Sequence, residues 1–407
     1  MAGAALCLIT ACVTTDAGKS GEFADDVDFM KKHTPIVLLK DGDAAVAVAP
    51  AYQGRVMTST FDRKAGPSFG WINRPVIEKG FLSEEEKKGK LEEHIYVFGG
   101  EERLWFGPEG GQFAIFFQPG VPFTFDHWFT PPCIDTEAFR VTDKTSTQAT
   151  FAHTAKLKNW SGQEFDMAIR RTVRLLARKE IATALDIELP DTMKMVAYET
   201  DNRLTNAGKK AWTKASGMLS IWILGMYPPS PGTTVVIPFH KGDKSELGPK
   251  VNDTYFGKVP QDHLKVKDDV LFFRADGTRR GKIGIGPKRS KYIAGSYNAD
   301  LGVLNVVTCN RPKQPHPGYV NSMWEMQKDP FSGDAINAYN DGSPAPGKPP
   351  LGPFYELETS SPAGALKPGE TLQHIQRTFH LKGTPEQLDR ISRKLFGVSL
   401  TDIQEAL

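Results

Sequence analysis

Cysteine is scarce: the 407-residue chain has 4, and two of them, Cys7 and Cys12, fall within the first twelve residues. The other two, Cys133 and Cys309, cannot build a disulfide framework at this length. They either pair in an oxidising compartment or lie buried, and burial is the commoner fate of a free thiol. There is no Cys-x-x-Cys and no His-x-x-x-His, and the 9 histidines are scattered, so no metal centre is expected. Charge of one sign is missing as well: 50 Lys+Arg face 48 Asp+Glu, a net +2. Without a basic field to follow a phosphate backbone, nucleic acid is not an expected partner. Beyond the N-terminus no apolar run approaches the ~20 residues that span a bilayer, and no internal repeat occurs. What the chain has in quantity is Gly (38) and Pro (29), which favours many turns joining short strands.

The opening MAGAALCLITAC is apolar and small, too short to cross a membrane and long enough for a signal-peptide core, although no Lys or Arg precedes Leu6. Leu8-Ile9-Thr10-Ala11-Cys12 resembles the bacterial lipobox. The resemblance implies that Cys12 is acylated, that residues 1–11 are removed and that residues 12–24 form a tether. Residue 14 is Thr and not an acidic sorting signal, so a lipid-anchored outer-membrane location in the cell envelope follows as an expectation. The folded body is then expected over 25–382, with a helical tail at 383–407.

From Ile36 the chain reads as two short strands around Asp41-Gly42-Asp43, with Val46 and Val48 on one face. Residues 83–94 are a solvated charged insertion. Gln112–Phe125 reads as a hairpin about Pro119-Gly120. Ile181, Leu185, Ile187 and Leu189 share the face of a period-two run. Met218–Met226 is a nearly continuous apolar run, expected as a strand buried on both faces. The stretch GTRRGKIGIGPKR (277–289) is one residue off a phosphate-loop spacing and is broken by Pro287, so it reads as a basic turn and no cofactor is expected. Residues 341–353, rich in Pro and Gly, read as a lid or rim between two strands. Thr384, Pro385 and Gln387 spell a capping box ahead of the stripe Leu388, Ile391, Leu395, a C-terminal helix.

Three clusters carry candidate chemistry. In GGEERLWFGPEGG (99–111) Arg103, Trp105 and Glu109 stand between glycines, and an indole beside a cation and a carboxylate suits a sugar ring. The competing reading puts Trp105 in the core. Just beyond, His127 is an acid/base candidate next to Trp128. In residues 198–212, Asn202, Arg203 and Asn206 either line a cleft or hold a turn, the latter favoured for Asn206. In FYELETSSP (354–362) Glu356 and Glu358 would share one strand face, so one of them needs a cation partner or a raised pKa. A solvated outer face is the bland alternative. Asp334, Asn337, Tyr339, Asn340 and Asp341 add hydroxyl-binding groups upstream.

Taken together, VAVAPAYQGRVMTST and LETSSPAGALKPGETLQHIQRTFHL (357–381) resemble the opening and closing strands of the galactose mutarotase (aldose 1-epimerase) superfamily. The blocks GGEERLWFGPEGG and FYELETSSP are similar, more narrowly, to an uncharacterised group of bacterial lipoproteins, a domain of unknown function within that clan. The resemblance implies an all-β antiparallel β-supersandwich and a saccharide partner. It makes Glu358 the base and implies a histidine as the acid; Glu109, His127, His240 and Arg103 are the candidates for that part here. Arg103, Trp105, Glu356, Asn202, Arg203, Asn340 and Asp341 become substrate-binding candidates. The strand that would carry the superfamily's histidine reads SGMLSIWILGM and holds none. Two function classes follow: an epimerase-like or lyase-like enzyme acting at the anomeric or an adjacent carbon, or a non-catalytic glycan-binding envelope lipoprotein. A purely structural envelope protein, a third reading, would have no cleft.

Overall fold

The computed structural model describes residues 21–87, 93–345 and 347–407. Cys7, Cys12 and the tether to residue 20 lie outside the described residues, as does part of the charged insertion.

Among the described residues, eighteen strands form three antiparallel sheets. The smallest runs β1 (Val37–Asp41), β2 (Ala44–Ala49), β3 (Arg55–Thr60). The largest has ten strands, in spatial order β11 (Leu264–Val266), β12 (Val270–Arg274), β10 (Thr233–Pro238), β14 (Ile293–Asn298), β15 (Val303–Cys309), β18 (Thr371–Lys382), β8 (Lys194–Asn206), β7 (Glu164–Leu175), β6 (Gln148–Lys158) and β5 (Arg140–Lys144). The third has five: β13 (Gly281–Ile285), β16 (Ile336–Asn340), β17 (Tyr355–Ser360), β9 (Ser220–Tyr227) and β4 (Arg103–Gly107). This is the all-β supersandwich expected from the sequence, and β1 and β2 pair around Gly42 as read.

Strand periodicity assigns the layers. In β17, Leu357 packs inward with Ile283, Ile336 and Ala338 on Val235, Ile237, Leu271 and Phe273 of the ten-stranded sheet, while Glu356 and Glu358 point the other way. The ten-stranded sheet is buried on both faces where helices cover it. Val236, Phe272, Val306 and Phe379 face Leu388, Ile391 and Phe396 of helix Pro385–Phe396 and Leu400 and Ile403 of helix Leu400–Gln404. The first of these helices has the expected capping box: Gln387 N donates to Thr384 Oγ1 (3.3 Å) and Thr384 N to Gln387 Oε1 (2.9 Å). One face of the small sheet is covered by helix Phe23–His33, whose Phe23, Val27 and Met30 pack with Ala45, Ala47, Ala49 and Met57.

Three local readings are corrected. Ile181 and Leu185 lie on a helix, Arg178–Leu185, closed by Asp186 at φ 51°, because four-residue spacing suits a helix face as well as a strand face. Gln112–Phe125 forms no hairpin; Pro119 and Pro122 supply no N–H, and the segment keeps one bridge, Phe117 to Trp128. The basic turn ends at Arg280, and Gly281–Ile285 is the fully buried strand β13. Cys133 and Cys309 are buried and free, and burial raises both thiols, Cys309 to about 12.

Candidate functional site

The outward face of the five-stranded sheet is the floor of the site. Register places Arg103, Leu224, Glu358 and Asn337 side by side across β4, β9, β17 and β16. One pair further along lie Met226, Glu356, Tyr339 and Lys282. Trp105 and Trp222 face each other at the near end, 5.6 Å between ring centroids. Loops from Glu109, Tyr255, Ser322 and Asp341 wall a cavity of about 750 Å³ over this floor. Phe125, Phe256 and Leu351 line it while remaining exposed. The wall is tight at Gly110, where a Cβ would come within 2.5 Å of the Met323 carbonyl. Glu109 N donates to Ser322 Oγ (3.2 Å) and fixes that carboxylate's backbone.

Arg103, Glu356 and Glu358 lie on the floor beneath the cavity, and Lys282 and Glu109 line the cavity itself. Arg103 Nη2 donates to Glu356 Oε1 at 2.8 Å, with its guanidinium 4.1 Å over the Trp105 ring. Lys282 Nζ (2.9 Å) and Trp222 Nε1 (2.8 Å) both donate to Glu358 Oε2. Glu358 is fully buried, and its Oε1 has no partner among the described residues. Lys282 lines the cavity directly above it. Burial pushes the Glu109 carboxyl up, Lys282 opposes the shift and Glu358 adds to it. Glu356 is likewise raised, chiefly by burial, against the pull of Arg103 and with the repulsion of Glu358. Burial thus holds Glu109 and Glu356 toward their neutral forms, against the pull of the two cations.

A second shell of groups orients the floor. Tyr255 donates to Asp334 Oδ2 (2.6 Å), which also accepts from Asn252 Nδ2 (3.2 Å), while Asn337 Nδ2 donates to Tyr255 Oη (3.3 Å). Burial raises Asp334 to about 6, the hydrogen bonds and Lys282 opposing, Glu358 reinforcing. A carboxyl raised from 3.8 on folding contributes stability that is fully present below about pH 4 and lost as pH rises through about 6. Urea unfolding of the wild type is therefore expected to show a falling contribution across that window, and Asp334→Asn to flatten it. An unchanged slope in the variant would refute the assignment. On the lid side, Tyr339 donates to Asp341 Oδ1 (2.6 Å) and Gly352 N to Asp341 Oδ2 (2.9 Å), which anchors both ends of the 341–352 loop.

Of the residues expected from sequence, Arg103, Glu109, Asp341, Glu356 and Glu358 meet at this cavity or its floor, with Trp105 beneath Arg103. The solvated alternative for the two glutamates is overturned, since Glu356 is 4% exposed and Glu358 0%. Trp105 serves as core, packed on Phe116, Trp128 and Trp222 and 4% exposed, so it offers no open stacking face.

The remaining candidates sit elsewhere. Asn202 lies in β8 between the sheets, where its Oδ1 accepts from Arg171 Nη1 (2.5 Å). Arg203, next along the strand, necessarily points outward and pairs with Asp201. Asn340 is turned to the opposite face of β16 and ties the preceding loop through Gly277 N, Asp276 Oδ1 and Arg279 O. His127 bonds Thr124 Oγ1 (2.9 Å) within its own 3-10 turn and does not line the cavity. Asn206 holds the turn, as favoured, through Gly208 N and Lys210 O.

Sequence reasoning missed Lys282, Trp222, Tyr255 and Trp324. Lys282 was hidden in the basic segment; its available signal was the strand-like Lys-Ile-Gly-Ile alternation, which places one lysine on a face with no other charge from that strand.

No curated protein matches the chain. Solved structures similar to it include a candidate aldose 1-epimerase from Escherichia coli K12, with TM-score 0.48 and 12% identity over 86% of this chain and 99% of that one. A galactose mutarotase-like protein from Lactobacillus casei ATCC 334 has TM-score 0.45 and 12% identity over 85% and 100%. An aldose epimerase homologue from C. elegans has TM-score 0.46 and 11% identity over 86% and 100%. One family model covers residues 21–407, and by that match the chain belongs to the family of unknown function DUF6786.

Proposed function

We propose that the protein binds a saccharide in the cavity over the five-stranded sheet and carries out acid/base chemistry at its anomeric or adjacent carbon. The observation that carries this reading is the meeting of Glu109, Glu356 and Glu358 with Arg103 and Lys282 at a cavity walled by aromatic and apolar side chains. Such walls stack on the C–H face of a sugar, while a few fixed polar groups bond its hydroxyls. Glu358, which accepts from two donors and keeps one oxygen unspent, is the base. Glu109, raised by burial, is the acid.

In a ring-opening cycle Glu358 takes the proton of the anomeric hydroxyl as the C1–O5 bond breaks and C1 becomes an aldehyde. Glu109 gives the ring oxygen its proton. Rotation about C1–C2 and reclosure on the other carbonyl face return both protons and yield the other anomer. Lys282 stands between the cavity and Glu358, so its ammonium shifts onto a sugar oxygen as Glu358 is uncovered. Proton NMR of the protein with a panel of aldoses and uronic acids tests this. Accelerated anomer exchange, or an unsaturated product, supports the enzyme. Ligand line-broadening without turnover moves the assignment to a glycan-binding protein, and silence across the panel refutes both.

Anchoring to the envelope through Cys12 belongs to the same proposal and rests on the lipobox-like opening. Cys12→Ser in the full chain is expected to move the protein from the membrane pellet to the soluble fraction. Equal partition of the two would refute the anchor.

A further inference from the structure

One cation lining the cavity is not spent. Lys282 is matched by Glu358, but the side chain of Arg280 has no hydrogen-bond or ion-pair partner among the described residues, and its Nε is buried and unpartnered. Its guanidinium carbon lies 3.8 Å from the Phe256 ring centroid. Asp341 is close enough to feel the Arg280 charge, yet both its oxygens are committed, one to the Tyr339 hydroxyl and the other to Gly352 N. The cavity lining also includes Lys348, an exposed side chain without an ion-pair partner among the described residues. Of the carboxylates on the wall, Glu109 is shifted toward its neutral form by burial, and Glu325 is exposed at the rim.

We infer that the sugar taken by this cavity carries an oxyanion substituent, a carboxylate or a phosphate ester, that docks on Arg280, with Lys348 of the cavity lining as a second cation. The inference rests on the saccharide reading above and names the class of sugar. Its physical reason is desolvation. A ligand that fills the cavity strips water from the Arg280 guanidinium; a neutral sugar leaves that charge uncompensated, whereas an oxyanion gives the planar fork two charge-assisted hydrogen bonds. The cation–π contact with Phe256 favours one placement of the guanidinium before a ligand arrives.

The test is binding to the full wild-type protein, read by tryptophan fluorescence, since Trp324 lines the cavity. The ligand sets are D-glucose, D-glucuronate and D-glucose 6-phosphate, and D-galactose with D-galacturonate. At least one anionic member is expected to bind about 10-fold or more tightly than its neutral parent, with an affinity that falls as salt rises. The uronate and phosphate arms tell the two oxyanions apart. In Arg280→Gln the anionic-to-neutral affinity ratio should collapse towards 1, and Arg280→Lys should keep part of it. Neutral sugars binding as tightly as every anionic partner, or a ratio undiminished in Arg280→Gln, overturns the inference and leaves the saccharide reading standing. No response to any sugar overturns the saccharide reading and this inference with it. Arg280 is half-buried and its side chain has no hydrogen-bond or ion-pair partner among the described residues, so both variants should fold, and matching melting curves check that.

Discussion

Replacing Glu358 by Gln is expected to lower the rate of sugar turnover by about 10²–10⁴-fold, the range associated with loss of a positioned acid or base. The amide fills the same space and its oxygen still accepts from Lys282 and Trp222, which stand 2.9 and 2.8 Å from Oε2. Ligand affinity should therefore move less than turnover, and a fall in kcat with KM nearly constant is the signature sought. Glu109→Gln should also lower turnover, because its proton is the one given to the ring oxygen. The two losses should combine less than additively if both act in one proton-transfer cycle. Wild-type rates in Glu358→Gln would remove this residue from the chemistry, whatever the cavity binds.

The largest loss of stability is expected away from the site. Arg171 and Glu102 are both wholly buried between the sheets, with Nη2 2.7 Å from Oε1. Arg171 also donates to Gly54 O (2.9 Å) and Asn202 Oδ1 (2.5 Å), and Glu102 accepts from Gln376 Nε2 (3.0 Å). Removing one partner leaves the other charge in the core without compensation, so Glu102→Ala should cost about 3–5 kcal/mol. The double change Glu102→Gln, Arg171→Met removes both charges and should cost less than the single one. Urea midpoints of the two variants decide it: a single-variant loss below about 1 kcal/mol would show that water already reaches the pair.

This pair shows why sequence reading stopped where it did. Glu101 and Glu102 sit inside the stretch singled out for chemistry, yet both are structural: Glu101 bonds Ser59 (2.8 Å) and His380 (2.7 Å), and Glu102 holds Arg171. Asn202 was proposed as a ligand group and is the third member of that same buried network. Strand β4 begins only at Arg103, so the two glutamates before it are not bound by its alternation, and one short motif feeds two different environments. Glu101 and Glu102 serve the interior, and Arg103, one residue on, serves the site.

Local geometry follows from period and turn chemistry, and that much the amino-acid order carries alone. Alternation put Glu356 and Glu358 on one face and Leu357 on the other. The apolar run at 218–226 became a central strand, and the Thr384–Gln387 capping box started the last helix where expected. These outcomes depend on interactions within a few residues. The partners of those groups were decided only by tertiary structure. Arg103 and Glu356, 253 positions apart, meet because β4 and β17 flank β9, and Lys282 reaches Glu358 only because β13 and β17 flank β16. Strand order across a sheet is set by the packing of whole layers, and no local pattern along the chain encodes it.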